Sequence, residues 1–228
     1  MDFQAILISM QTASVSIVIT FFLGIAVAWG VVRIRDGKLK ILVDGLLTLP
    51  LVLPPTVAGF FLLYIFGVKR PVGKFLLEFL GVKLVFNWSA TVVAAVLISF
   101  PLMYRSARGA FEQVDETLVH AARTIGMSEI KIFLKVILPL ALPGVASGGI
   151  LAFARGLGEF GATAMIAGNI AGKTRTLPLA VYSSVAAGDM EGAYEYVAIL
   201  AGISFLAVVG MNWFTARKQR FLGKRGKK

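Results

Sequence analysis

An all-α integral membrane protein with five transmembrane helices is the fold class that this sequence predicts. Three observations carry it. Of the 228 residues, 57% are hydrophobic and only 15% are charged, a balance that soluble domains rarely show. Phe3–Val32 contains no charged residue, and a bilayer core of about 30 Å needs only roughly 20 apolar residues in a helix. The basic residues gather in segments flanking apolar runs, the pattern by which membrane chains set their orientation.

In chain order the spans fall at about 5–32, 39–68, 88–104, 136–158 or somewhat beyond, and 196–216. The first is not expected to be a secretory signal, because Asp2 replaces a basic leader and the apolar run is too long. Pro50, Pro54 and Pro55 interrupt the second, each removing a backbone donor. Irregular backbone at membrane depth persists only when buried in protein or lining a wet cavity. A kinked or broken segment is therefore expected here, with Thr48 and Thr56 supplying hydroxyls. A purely structural kink and a place beside a transport pathway both fit. Asp44 follows Lys40 by one helical turn, which puts it at the membrane interface. The stretch "VGKFLLEFLGVKLVF" has helical apolar spacing broken by Lys74, Glu78 and Lys83, and reads as a short interfacial helix.

Between the third and fourth spans lies "EQVDETLVHAARTIGMSEIKIFLKVILPLALPG". Asp115 suits a helix N-cap and Glu116 the first turn. Leu118, Ala121, Ala122 and Ile125 follow at helical spacing as one small apolar face; Gly126 suits a left-handed stop, and Ser128 can cap the next helix. An amphipathic connector on the headgroups fits this pattern. So does a docking knob, whose alanines allow close approach to a partner. In the fourth span Arg155 and Glu159 are four apart, so they share a helix face and can pair. That pair reads either as an ion pair securing a helix end or as part of a cavity or gate. Glu159 would cancel most of the arginine's field, so Arg155 is not assigned as an anion ligand.

Lys and Arg number four in 33–40, five in 105–135 and seven in 217–228, against six in the other loops. Sixteen against six places the N-terminus outside and the C-terminus in the cytoplasm. The net charge of +11 is thus absorbed by topology, and no aromatic-interleaved basic repeat points to nucleic acid. The chain has no cysteine and a single histidine, His120, so a thiolate or multi-histidine metal site is excluded. "GNIAGKT" at 168–174 imitates a phosphate loop but has three residues between its glycines where that loop has four. The chain is not expected to hydrolyse ATP, to carry a cofactor or to be an enzyme.

"HAARTIG" followed by "ILP" resembles the EAA loop of ABC importer permeases, with His120, Ala121, Ala122, Arg123, Gly126, Ile137, Leu138 and Pro139 on the motif. His120 stands where a glutamate or glutamine is more usual. "LTLPLVLPPTVAG", "SFPLMYRSARGAFEQVD" and "LAFARGLGEFGAT" extend the resemblance over nearly the whole chain, toward the molybdate branch of that family. The resemblance implies a type I importer permease core over about 6–216 within a single permease domain, 1–228, ending in a basic cytoplasmic tail, 217–228. It implies a homodimer in the bacterial inner membrane, a cytoplasmic ATPase docked on each coupling helix, and a molybdate-binding protein outside. Pro54, Pro55, Thr56, Arg155 and Glu159 are the candidate pathway or gate residues. Tungstate and sulfate are tetrahedral dianions like molybdate, but the related sulfate permeases tend to be longer. A secondary anion transporter would need coupling carboxylates deep in its spans, whereas Glu159 is the only deep acid.

Overall fold

The computed structural model describes the backbone of residues 2–225 and the side chains of 2–210. Its elements are α1 (Phe3–Val32), α2 (Lys38–Val52), α3 (Pro55–Phe66), α4 (Pro71–Leu80), α5 (Trp88–Glu112), α6 (Glu116–Thr124), α7 (Glu129–Ile132), a π-helical turn (Phe133–Ile137), α8 (Leu138–Leu157), α9 (Gly161–Ala167), α10 (Leu177–Ala186) and α11 (Met190–Arg225). Among the described residues four helical stretches are long and apolar enough to cross a membrane, and the bent pair α2–α3 brings the number to five when it is counted as one span.

The centre is a three-helix core of α1, α5 and α8. Their buried faces are built from small residues: Ala5, Ala13, Gly24 and Ala28 on α1, Ala90, Ala94, Ala95 and Ala107 on α5, and Gly148, Gly149, Ala152 and Gly156 on α8. In lipid, where hydrophobicity does not drive helices together, such residues let backbones approach and packing supply the attraction. Hydroxyl pairs link α1 to α5, Thr12 with Thr91 at 2.7 Å and Thr20 with Ser99 at 3.1 Å. A second cluster joins α3, α5 and α9 through Ala58, Leu62, Ile98 and Ile166. A third gathers Ala5, Leu177, Ala180 and Tyr196. Large apolar side chains such as Phe22, Val52 and Phe79 face outward.

Several edges differ from the sequence reading. The third span continues as helix to Glu112 because Arg108 and Glu112 pair at 2.9 Å one turn apart, so its charges do not end it. The fourth begins as helix at Glu129 and passes through a π turn. Pro139 explains that turn: it has no N–H to give residue 135 and its ring crowds that carbonyl, and the widened turn before it accommodates both. There the Leu138 N–H bonds to Phe133 O, five residues back. Pro50 sits inside α2 without breaking it; the break falls at Leu53 and Pro54, both extended, and turns the chain by 112°. The helix of the fifth span runs from Met190 to Arg225, and the side chains of the basic tail, with residues 226–228, lie outside the described residues.

Candidate functional site

Two regions hold the residues singled out by sequence. The first is α6. Asp115 caps it, its carboxylate accepting from Thr117 N at 2.8 Å. Hydrogen bonds from Thr117, side chain first and backbone second, hold the Asp115 carboxyl below its ordinary range. At the other end Gly126 takes φ +80, where a Cβ is disfavoured. Met127 N bonds to Ala122 O at 3.1 Å and Gly126 N to Arg123 O at 2.9 Å, the paired bonds of a Schellman stop. Ser128 occupies the next N-cap position but makes no capping bond with its side chain.

The expected single small face is divided. Ala122 is 5% exposed and turned into the chain, whereas Leu118, Ala121 and Ile125 face outward. Helix periodicity alone does not separate them, because the 100° step between neighbours lets one face the chain while the other stays accessible. α6 rests on α7 and the π turn, and Arg123 fixes it there by donating to Glu129 at 2.8 Å and 3.3 Å. Arg33, at the end of α1, donates to the same carboxylate at 3.0 Å while stacking on Trp29. His120, Arg123 and Ile137 line one cleft of about 720 Å³ with Arg33, Lys40 and Glu112. Leu138 packs on the core, and Pro139 is exposed.

The second region is where two helix breaks meet. Gly161, opening α9, lies against Pro55 and Thr56, opening α3: a Cβ there would stand 3.1 Å from Thr56 N. Gly59 similarly abuts Ala162. At Gly59 a Cβ would stand 2.6 Å from Ala162 Cα, an approach that glycine permits. Glu159 sits one residue beyond the C-cap of α8, so it does not share a helix with Arg155 as its spacing suggested. It is 3% exposed, and its Oε1 accepts from Ala162 N at 2.7 Å, holding the start of α9. Oε2 lies 2.9 Å from Arg155 Nη1 as an ionic contact without an aligned hydrogen bond. Thr48 donates to Asp44 O on its own helix at 2.7 Å. Of the two threonines, only Thr56 stands at the crossing.

A third group was missed in the sequence. Asp44 accepts from Tyr104 Oη at 2.8 Å and pairs with Arg108. Lys40 lies 3.8 Å from Glu112. Residues 40 and 44 on α2 thus meet 104, 108 and 112 on α5. The signal was present: opposite charges at matching four-residue steps, beside two different apolar runs.

The family model described as "Binding-protein-dependent transport system inner membrane component" matches residues 20–220. The molybdenum transport system permease protein ModB of Escherichia coli (strain K12) is 39% identical over 224 residues, covering 98% of this chain and 97% of that protein. The putative molybdenum transport system permease protein YvgM of Bacillus subtilis (strain 168) is 40% identical over 205 residues, covering 90% of this chain and 89% of that one. Among solved structures, the inward-facing MetNI methionine ABC transporter matches at TM-score 0.75 and 18% identity over 95% of each chain. A bacterial ABC transporter that imports the polysaccharide alginate matches at TM-score 0.78 and 13% identity, covering 94% of this chain and 79% of that one. These last two likenesses speak to fold. The chain belongs to the binding-protein-dependent transport system inner membrane components, a multi-pass membrane protein with the fold of a type I ABC importer permease.

Proposed function

We propose that this chain is the translocation subunit of an ATP-driven importer of molybdate, with tungstate accepted as a close analogue. The observation that carries the reading is the 39% identity to a molybdenum permease along nearly all of both chains. On this reading two copies form the pathway in the inner membrane, N-termini outside and C-termini in the cytoplasm, as the sixteen-to-six basic asymmetry favours. A separate cytoplasmic ATPase seats on each α6, and a molybdate-loaded binding protein docks on the outer face. The chain itself hydrolyses nothing.

The geometry suits that division of labour. Leu118, Ala121 and Ile125 offer the ATPase a small apolar contact, while Ala122 and the Arg123–Glu129 pair make α6 continuous with α7 and α8. A push on α6 therefore reaches the core helices. At the crossing of the two breaks, Arg155 faces Glu159, so no bare arginine waits there to trap an oxyanion. Weak holding favours turnover, since each tenfold gain in affinity adds about 1.4 kcal/mol to the exit barrier.

The test is ATP hydrolysis by the purified complex of this chain with its ATPase. Molybdate-loaded binding protein should stimulate it severalfold over the unloaded protein. Stimulation by sulfate-loaded protein alone would correct the substrate, and failure to form a complex with any ATPase would refute the reading.

A further inference from the structure

The two halves of the broken span are held in different ways. Within the single chain α3 buries Ala58, Gly59 and Leu62 against α9, whereas α2 has no buried residue. α2 leans chiefly on α5, with Val43 and Leu47 only partly covered by the core. Leu53 and Pro54 interrupt the helix before α3 begins. Beside that partial apolar contact, α2 is fastened by polar groups. Asp44 takes the Tyr104 hydroxyl at 2.8 Å and the Arg108 guanidinium, and Lys40 faces Glu112 at 3.8 Å. Among the described residues these are the side-chain polar links from α2 to another helix. Tyr104 is fully buried and Arg108 is locked to Glu112 at 2.9 Å, so the α5 side of the ladder is rigid. The α2 side is not.

We infer that Asp44 is a positioning residue for transport: it latches the loose half of the broken span onto α5, and the latch opens and closes once per cycle. Packed apolar contacts resist stepwise release because they must be re-formed in register. An ionic ladder whose charged side chains keep 14–41% of their surface exposed can exchange protein partners for water pair by pair, without re-forming a packed face. The polar fastening at Asp44, set against the apolar fastening of α3, suits a part that must let go. The break at Leu53–Pro54 supplies the hinge, where a few residues absorb the change in backbone angle. The inference rests on the importer reading above.

Two measurements on the full reconstituted importer test it. Asp44→Asn keeps the shape and still accepts from Tyr104, but loses the charge that holds Arg108. It should lower molybdate transported per ATP hydrolysed at least fivefold, with hydrolysis itself maintained; a merely structural loss would lower both together. In the cysteine-free chain, Lys40→Cys with Glu112→Cys, joined through two disulfides by a short bis-methanethiosulfonate reagent, should cut uptake more than tenfold. Uptake should return when the same preparation is reduced. An unchanged transport ratio in Asp44→Asn, or undiminished uptake with the ladder cross-linked, overturns the latch. If the unmodified complex shows no ATP-driven molybdate uptake, the importer reading fails and the latch falls with it.

Discussion

Arg123 donates to Glu129 across the Gly126 turn at 2.8 Å, and so clamps the end of α6 to the start of the helix that becomes α8. Both side chains are about half exposed, and exposed pairs of this kind contribute little to stability. The clamp therefore sets direction more than stability. Arg33 reaches the same carboxylate, which adds α1 to the helices that α6 can move.

Ala121 and Ala122, adjacent in sequence, should respond oppositely to the same change. Ala122→Glu places a charge where the chain itself is packed, and burying an unpaired polar group costs about 2 kcal/mol or more. That variant should lose thermal stability in detergent. Ala121→Glu should melt like the natural chain yet fail to retain the ATPase on co-purification. Equal melting of both variants, or full retention of the ATPase by Ala121→Glu, would contradict the division of this face.

The cap at Asp115 sets a pH expectation for α6. Its carboxyl is held below the ordinary value of 3.8 by hydrogen bonds from Thr117. A depressed folded value means that the cap is fully present above 3.8 and is lost as pH falls through the lower, folded value. Amide exchange in residues 116–124 should stay protected from neutral pH to about 5, once corrected for intrinsic rates, and rise in acid. Asp115→Ala should show the raised exchange already at neutral pH. Equal protection in the variant would mean that the cap does not hold α6.

Glu159 should matter for both of its oxygens. Glu159→Gln keeps an acceptor for Ala162 N but removes the counter-charge of Arg155. Breaking a fully buried pair costs about 3–5 kcal/mol, so with Arg155 partly exposed a loss of about 1–3 kcal/mol is expected. Glu159→Ala loses the acceptor as well and should fall further. Thermal melting of the two variants checks the order, and a reversed order would deny the capping role of Oε1.

Topology can be read with introduced thiols, since the chain has no cysteine. Gln113 and Lys173 are both exposed. In intact cells a membrane-impermeant thiol reagent should label Lys173→Cys and leave Gln113→Cys unmodified until the membrane is opened. The opposite pattern would reverse the orientation.

Much of this architecture was legible from the residues. The charge-free run of α1 and the prolines of the second span gave the spans and the break, because both act through backbone chemistry local to a few residues. Gly126 and Asp115 gave the limits of α6 for the same reason. What stayed hidden depends on partners distant in sequence. Asp44 meets Tyr104 and Arg108 sixty and more positions away, and the matching four-residue charge steps at 40/44 and 108/112 show only that the two helices could pair, not that they do. Ala122 turns inward only because α7 and the π turn come back beneath it. Glu159 looked like a continuation of the Arg155 helix, since a four-residue step does not reveal that the helix ends at Leu157. The short helices α9 and α10 fall below the length at which an apolar pattern signals a span.

Transport itself is the most direct test. Proteoliposomes containing this chain, its ATPase and its binding protein should accumulate radioactive molybdate when ATP is supplied to the ATPase face. Uptake should persist in the presence of a proton ionophore, and unlabelled tungstate should compete. Uptake by this chain alone, driven by a proton or sodium gradient and needing no ATP, would contradict the account.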